Sequence, residues 1–181
     1  KGNVVLMTFI YTHCTDLCPF IALKVKDAYQ LLGADAKNVV LVAVTTDPKR
    51  DIPQVNAAYS RAVGLFDAWH FVTGAPDAVH AVWASYGIGV TVDSGTDAAA
   101  PAKTVNQASP AEEEPEPTQG LSSSDLDTAG SIIQAFGGGY DVAHSAPFWI
   151  VDKKGMIRLE MDANATPTDI VTNLREMLRQ R

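Results

Sequence analysis

Two short runs, residues 4–11 (VVLMTFIY) and 38–46 (NVVLVAVTT), constrain this chain more than any other feature. Both are β-branched and apolar without alternation, so neither suits a sheet with one face in water; they read as parallel strands covered on both sides. Parallel neighbours need a crossover, and the intervening sequence supplies a helix. From Cys18 to Leu32 it places Phe20, Leu23, Ala28, Leu31 and Leu32 close to one face and stops at Gly33. A second helix is expected over about 51–63, with Pro53 in its first turn and Gly64 after it. WHFVT (69–73) reads as a short strand, and APDAVHAVWASYG (75–87) as a helix opened by Pro76 and closed by Gly87. This alternation implies βαβ units, with helices on both faces of the sheet.

Residues 94–131 change character, being rich in Ala, Pro, Glu and Ser and poor in anything whose burial could offset ordering. They are expected to be a disordered acidic insertion within a single domain spanning 1–181. The formal charge of −7 sits there. Residues 93–127 hold eight acids (Asp93, Asp97, Glu112, Glu113, Glu114, Glu116, Asp125 and Asp127) against Lys103, and removing these from 21 acids and 14 bases leaves thirteen of each. No basic stripe with interleaved aromatics occurs, so nucleic acid is not an expected partner. After the insertion, PFWIVD, a turn at KKG and MIRLEMD read as a β-hairpin. The last helix carries a capping-box pattern, with Thr166 as cap, Pro167 first and Asp169 third. Strand, helix, strand, helix, then hairpin and helix is the order of an α/β thioredoxin-like fold, a central mixed sheet flanked by helices.

No window of 18 apolar residues and no basic-then-apolar leader occurs, but Lys1-Gly2-Asn3 runs abruptly into the first strand. An export signal or membrane anchor is therefore expected upstream of Lys1.

The only two cysteines, Cys14 and Cys18, share the turn from the first strand into the first helix, with Pro19 directly after the second. Ligands gather at the carboxyl ends of parallel strands, and a helix N-terminus biases a thiol there toward thiolate. Spacing leaves three readings open: packed cysteines or a structural disulfide, a redox dithiol, or a metal site. Zinc is disfavoured by the shortage of ligands, whereas two thiolates with one imidazole suit copper, as Cu(I) or Cu(II). Of the four histidines, His13 points away along an extended segment, His70 sits on a strand, and His80 lies on a helix face. His144, just before the APFWIVD strand, faces the cysteine loop in such a fold and is the expected third ligand.

FIYTHCTDLCP resembles the FxYTxCPDxCP signature of the Sco/SenC copper proteins, TTDPKRDIP is similar to their SVDPxRDTP segment, and DVAHSAPFWIVDKKG to their xVDHSxxxYLIDxxG. The three motifs stand in the family's order. The resemblance implies copper ligation by Cys14, Cys18 and His144, with Asp16 and Asp47 at acidic positions nearby. It implies delivery of copper to the dinuclear centre of cytochrome c oxidase subunit II, or alternatively reduction of that acceptor's cysteines by a Cys14/Cys18 thiol:disulfide oxidoreductase. It also implies a domain held outside the cytoplasm, in the periplasm or on the outer face of the membrane, by an N-terminal anchor. The chain departs from the pattern at Thr15, where the family has proline, and at Ala143, where it has aspartate. A looser cysteine loop and a less firmly oriented imidazole are the expected consequences.

Overall fold

The computed structural model describes residues 2–93 and 118–180. In chain order the elements are β1 (Val4–Ile10), α1 (Leu17–Leu32), a 3-10 turn (Gly33–Asn38), β2 (Val39–Thr45), α2 (Pro53–Ala62), β3 (Trp69–Val72), α3 (Pro76–Tyr86) and β4 (Val90–Asp93). Beyond residue 117 come α4 (Ser123–Phe136), β5 (Asp141–His144), β6 (Phe148–Val151), β7 (Ile157–Met161) and α5 (Pro167–Arg179).

The two apolar runs pair in parallel as β1 and β2, with Val4 opposite Val39 and Ile10 opposite Thr45. β3 continues the parallel set, while β6 lies antiparallel on the other edge of β1 and β7 antiparallel on β6. The order β3-β2-β1-β6-β7 gives the mixed sheet, with β1 at its centre. Period-two alternation explains why β1 reads as continuously apolar: Leu6 and Ile10 join one core with residues of α1, α2, α4 and α5, whereas Met7 and Phe9 join a second beneath α3.

In α1 the buried stripe is Ile21, Val25, Ala28 and Leu32, a 3.6-residue series. Leu31, expected on the core face, is one position off that stripe and is 53% exposed.

The boundary of the insertion also differs from expectation. Residues 94–117 lie outside the described residues, but the segment expected to lack order up to 131 is already helical from Ser123. The Ser122 hydroxyl accepts from the Asp125 N–H while the Asp125 carboxylate takes the Ser122 N–H, a capping box hidden in a Ser-rich string. Ala129 and Ile132 are buried, and Asp125 accepts from Lys26 of α1 at 2.5 Å. A few apolar residues at helical spacing suffice once α1 offers them a surface.

After α4, β5 pairs antiparallel with β4 in a separate two-stranded ribbon that sets His144 opposite Val90. This ribbon, absent from the expected element order, carries His144 to the carboxyl end of β1.

Candidate metal and thiol site

The strand-to-helix turn after β1 places Cys14 and Cys18 in one cavity of about 380 Å³, lined also by Tyr11, Asp16, Leu17, Val142 and His144. Both cysteines are free and buried. Asp16 occupies the cap position of α1 without a side-chain cap bond. The Cys14 sulfur supplies the capping contact instead, accepting from the N–H groups of Asp16 and Cys18. The Cys18 thiol hydrogen bond and these N–H groups outweigh burial and hold the Cys14 pKa down at about 7. Cys18 is driven the other way, by complete burial and then by its hydrogen bond to, and the charge of, Cys14.

Cys18 Sγ lies 3.6 Å from His144 Nε2. On the other side of the ring, His144 Nδ1 lies 3.0 Å from the Ser145 carbonyl. A carbonyl only accepts, so Nδ1 carries the proton and Nε2 turns its lone pair to the sulfur. Burial lowers the imidazole pKa and favours that neutral form. The Ser145 carbonyl thus orients the ring where Ala143 cannot. Among the described residues, no three of His, Cys, Asp and Glu stand preassembled around a metal position. A soft cation able to displace the Cys18 thiol proton would find two sulfurs and an imidazole nitrogen on one cavity wall, the donor set suited to copper.

The other histidines lie elsewhere. His13 is half-buried and its Nδ1 is 2.9 Å from the Thr12 hydroxyl. His70 is exposed on β3, and His80 is exposed on α3 with its ring 4.6 Å from that of Trp83. Asp16 stands exposed at the cavity rim. Asp47 is set back and buried, paired with Arg50 and accepting from the Tyr140 hydroxyl at 2.8 Å.

Sequence reading missed three participants. Tyr11, the last residue of the foreseen strand, accepts the Val142 N–H on its hydroxyl at 3.2 Å and meets the His144 ring edge-on at 5.7 Å. Arg50 and Asp51 were legible only as part of the TTDPKRDIP likeness. Asp51 is fully buried, taking the Thr12 hydroxyl at 2.6 Å, the Thr12 N–H at 3.2 Å and the Thr45 hydroxyl at 2.6 Å. Desolvation still pushes its pKa up to about 6.

A family model described as SCO1/SenC matches residues 1–108. The SCO1 protein homolog of Bacillus subtilis is 33% identical over 75 residues, covering 41% of this chain and 39% of that protein. The alignment therefore spans well under half of that curated relative. Copper-bound ScoI of Bradyrhizobium japonicum superposes with a TM-score of 0.66 at 21% identity, over 98% of this chain and 86% of that one. BsSco, described as having a disulfide switch and belonging to the Sco family of cytochrome c oxidase assembly proteins, superposes with a TM-score of 0.60 at 21% identity, over 100% and 83%.

Proposed function

The chain belongs to the SCO1/SenC family, the family model covering more than half of it, and from that premise we propose that it is a copper metallochaperone with Cys14, Cys18 and His144 as its ligands. The observation carrying this reading is the meeting of Cys18 Sγ and His144 Nε2 at 3.6 Å in the cavity that also holds Cys14, although 126 residues separate the two partners in sequence. A packed or structural cysteine has no need of a half-buried imidazole with its lone pair turned inward.

The cargo is copper, as Cu(I) or Cu(II), and the acceptor is the dinuclear copper centre of cytochrome c oxidase subunit II. Two thiolates and one imidazole can be exchanged singly for an acceptor's own donors, so the metal need never be free. The domain works outside the cytoplasm on an N-terminal tether, a reading supported by the likeness to a SCO1/SenC family lipoprotein of Bacillus anthracis; among the described residues no helix is long and apolar enough to cross a membrane.

A second reading, thiol:disulfide exchange on the acceptor's cysteines, is favoured by the split between the two thiols: Cys14 held near 7 and Cys18 pushed up is the division between an attacking and a resolving cysteine.

Copper titration of the reduced protein tests the first reading. One ion per chain, with an intense sulfur-to-Cu(II) charge-transfer band in the visible, is expected. Cys14→Ser and Cys18→Ser should each abolish tight binding, and a full spectrum in Cys18→Ser would exclude the two-thiolate site. Mixing loaded protein with reduced, metal-free subunit II domain separates the readings: copper movement supports the chaperone, and stoichiometric thiol loss without copper movement supports the reductase.

A further inference from the structure

The stretch GGGYD, residues 137–141, carries the chain from α4 into β5 and so sets where His144 stands. It is fastened from outside the cavity by one cation. The Arg50 guanidinium lies over the Tyr140 ring at 3.6 Å, donates to the Gly138 carbonyl at 3.0 Å and pairs with buried Asp47. Asp47 in turn accepts from the Tyr140 hydroxyl at 2.8 Å, closing a ring of three side chains around the strap. On the cavity side, the Tyr11 hydroxyl takes the Val142 N–H.

The glycines are what let the strap lie so close. A Cβ on Gly139, whose φ is +86°, would meet Arg50 Nη1 at 2.8 Å. One on Gly137 would meet Thr15 Cγ2 at 2.7 Å, so the strap also touches the loop between the two cysteines. Three glycines alone would leave the strap loose. Something must hold it, and the salt bridge, stacking and carbonyl contact of Arg50 converge there.

We infer that Arg50, clamped between Asp47 and Tyr140, is the positioning residue for His144, fixing the β5 strand so that the imidazole reaches the cysteines. Arg50 touches neither thiol nor imidazole; it acts through residues 138–142. This inference rests on the reading of His144 as a copper ligand, and it predicts that the geometrically demanding form of the metal suffers most. Two thiolates can hold Cu(I) without the imidazole, whereas Cu(II) requires further donors.

The experiment compares wild type, Arg50→Ala, His144→Ala and the double variant, with Arg50→Lys as the conservative partner. In the metal-free protein, amide hydrogen exchange should rise at least tenfold at Val142 and along β4 and β5 in Arg50→Ala, with β1 and β2 unchanged. On loading, Arg50→Ala should lose at least tenfold in Cu(II) affinity, keep Cu(I) affinity within about threefold, and broaden the Cu(II) electron paramagnetic resonance signal. In a His144→Ala background the same substitution should change Cu(II) affinity less than twofold, because nothing remains to position. Arg50→Lys, which keeps the charge but loses the planar stacking, should fall between wild type and Arg50→Ala. Unchanged exchange at Val142 in a folded Arg50→Ala protein overturns the clamp whatever copper does. A loosened strap with Cu(II) affinity reduced by His144→Ala but not by Arg50→Ala overturns the positioning role. A loosened strap with Cu(II) indifferent to both substitutions overturns the copper role of His144 instead.

Discussion

Asp51 offers a quantitative test of how the region behind the cysteines is held. Its carboxylate is fully buried, and burial raises its pKa from 3.8 to about 6 against the opposing hydrogen bonds of Thr12 and Thr45, with the Asp47 charge adding to the rise. The folded value lies above the unfolded one, so between pH 3.8 and about 6 the folded chain holds more protons than the unfolded chain. Stability is therefore lost as pH rises through that window and levels off above it. A shift of about two units is worth about 3 kcal/mol at 1.36 kcal/mol per unit, of which about 2 to 3 kcal/mol develops between pH 4 and pH 7. Asp51→Asn removes the titration. It keeps an oxygen for Thr12 but turns an amide toward Thr45 Oγ1, which already accepts the Asp47 N–H at 2.8 Å, so the Thr45 hydroxyl proton loses its acceptor at a cost of about 1 kcal/mol. The variant should be about 2 kcal/mol more stable than wild type at pH 7 and no more stable at pH 4. Urea unfolding of both proteins, reduced and with chelator present, at half-unit steps from pH 4 to 8 gives the difference curve, in which other carboxylates cancel. A flat difference, or a variant destabilised by more than about 1 kcal/mol at pH 7, would refute the argument.

Thr166→Ala removes the hydroxyl that accepts the Asp169 N–H at 3.2 Å and should cost about 1 kcal/mol in chemical denaturation, with the copper spectrum untouched. Excision of residues 96–126 takes away the Ser122–Asp125 cap and the acceptor of Lys26, so its thermal midpoint should lie several degrees below that of an excision ending at 117.

The parts of the fold legible in the sequence are those fixed by local physics. Continuous apolar runs marked β1 and β2, because a strand at the centre of a covered sheet has no polar face to show. Thr166, Pro167 and Asp169 marked the start of α5 because capping is a contact between residues three apart. The same chemistry at Ser122 and Asp125 passed unread, since serines repeat there and the neighbouring residues are acidic. Leu31 was misplaced by counting apolar residues rather than following the stripe through Ile21, Val25, Ala28 and Leu32. Of the site, the cysteines announced themselves and His144 followed from its place before β6. Tyr11, Arg50 and Tyr140 did not. Their roles are pairings across 131, 88 and 93 positions, the last between Tyr140 and Asp47, and such contacts exist only once α4 and the β4–β5 ribbon have been folded over the cysteine loop. Sequence periodicity carries no record of that step.

The asymmetry of the two thiols can be read directly by alkylation. In the reduced, metal-free protein, Cys14 accepts hydrogen bonds from the Cys18 thiol, from the N–H groups of Cys18 and Asp16, and from Tyr11, and these together overcome its burial to leave it near 7. A thiol with that pKa is about half thiolate at neutral pH, and the thiolate is the reacting species. Cys18 is 1% exposed, and its ionisation is opposed first by burial and then by its bonding to, and the charge of, Cys14. Iodoacetamide should therefore modify Cys14 first, with a rate whose midpoint falls near pH 7, while Cys18 stays protected until the chain opens. Tyr11→Phe deletes one donor to the Cys14 sulfur and should move that midpoint upward. Peptide mapping by mass spectrometry after timed quenching assigns each label. The same order has a consequence for metal capture: a cation arriving at neutral pH meets the Cys14 thiolate first and must then displace the Cys18 thiol proton, so the Cys18 proton should leave late, and below the Cys14 midpoint a second proton must be displaced with it. Equal labelling of both cysteines, or Cys18 reacting ahead of Cys14, would show that the helix terminus does not command the site and would remove the basis for either order.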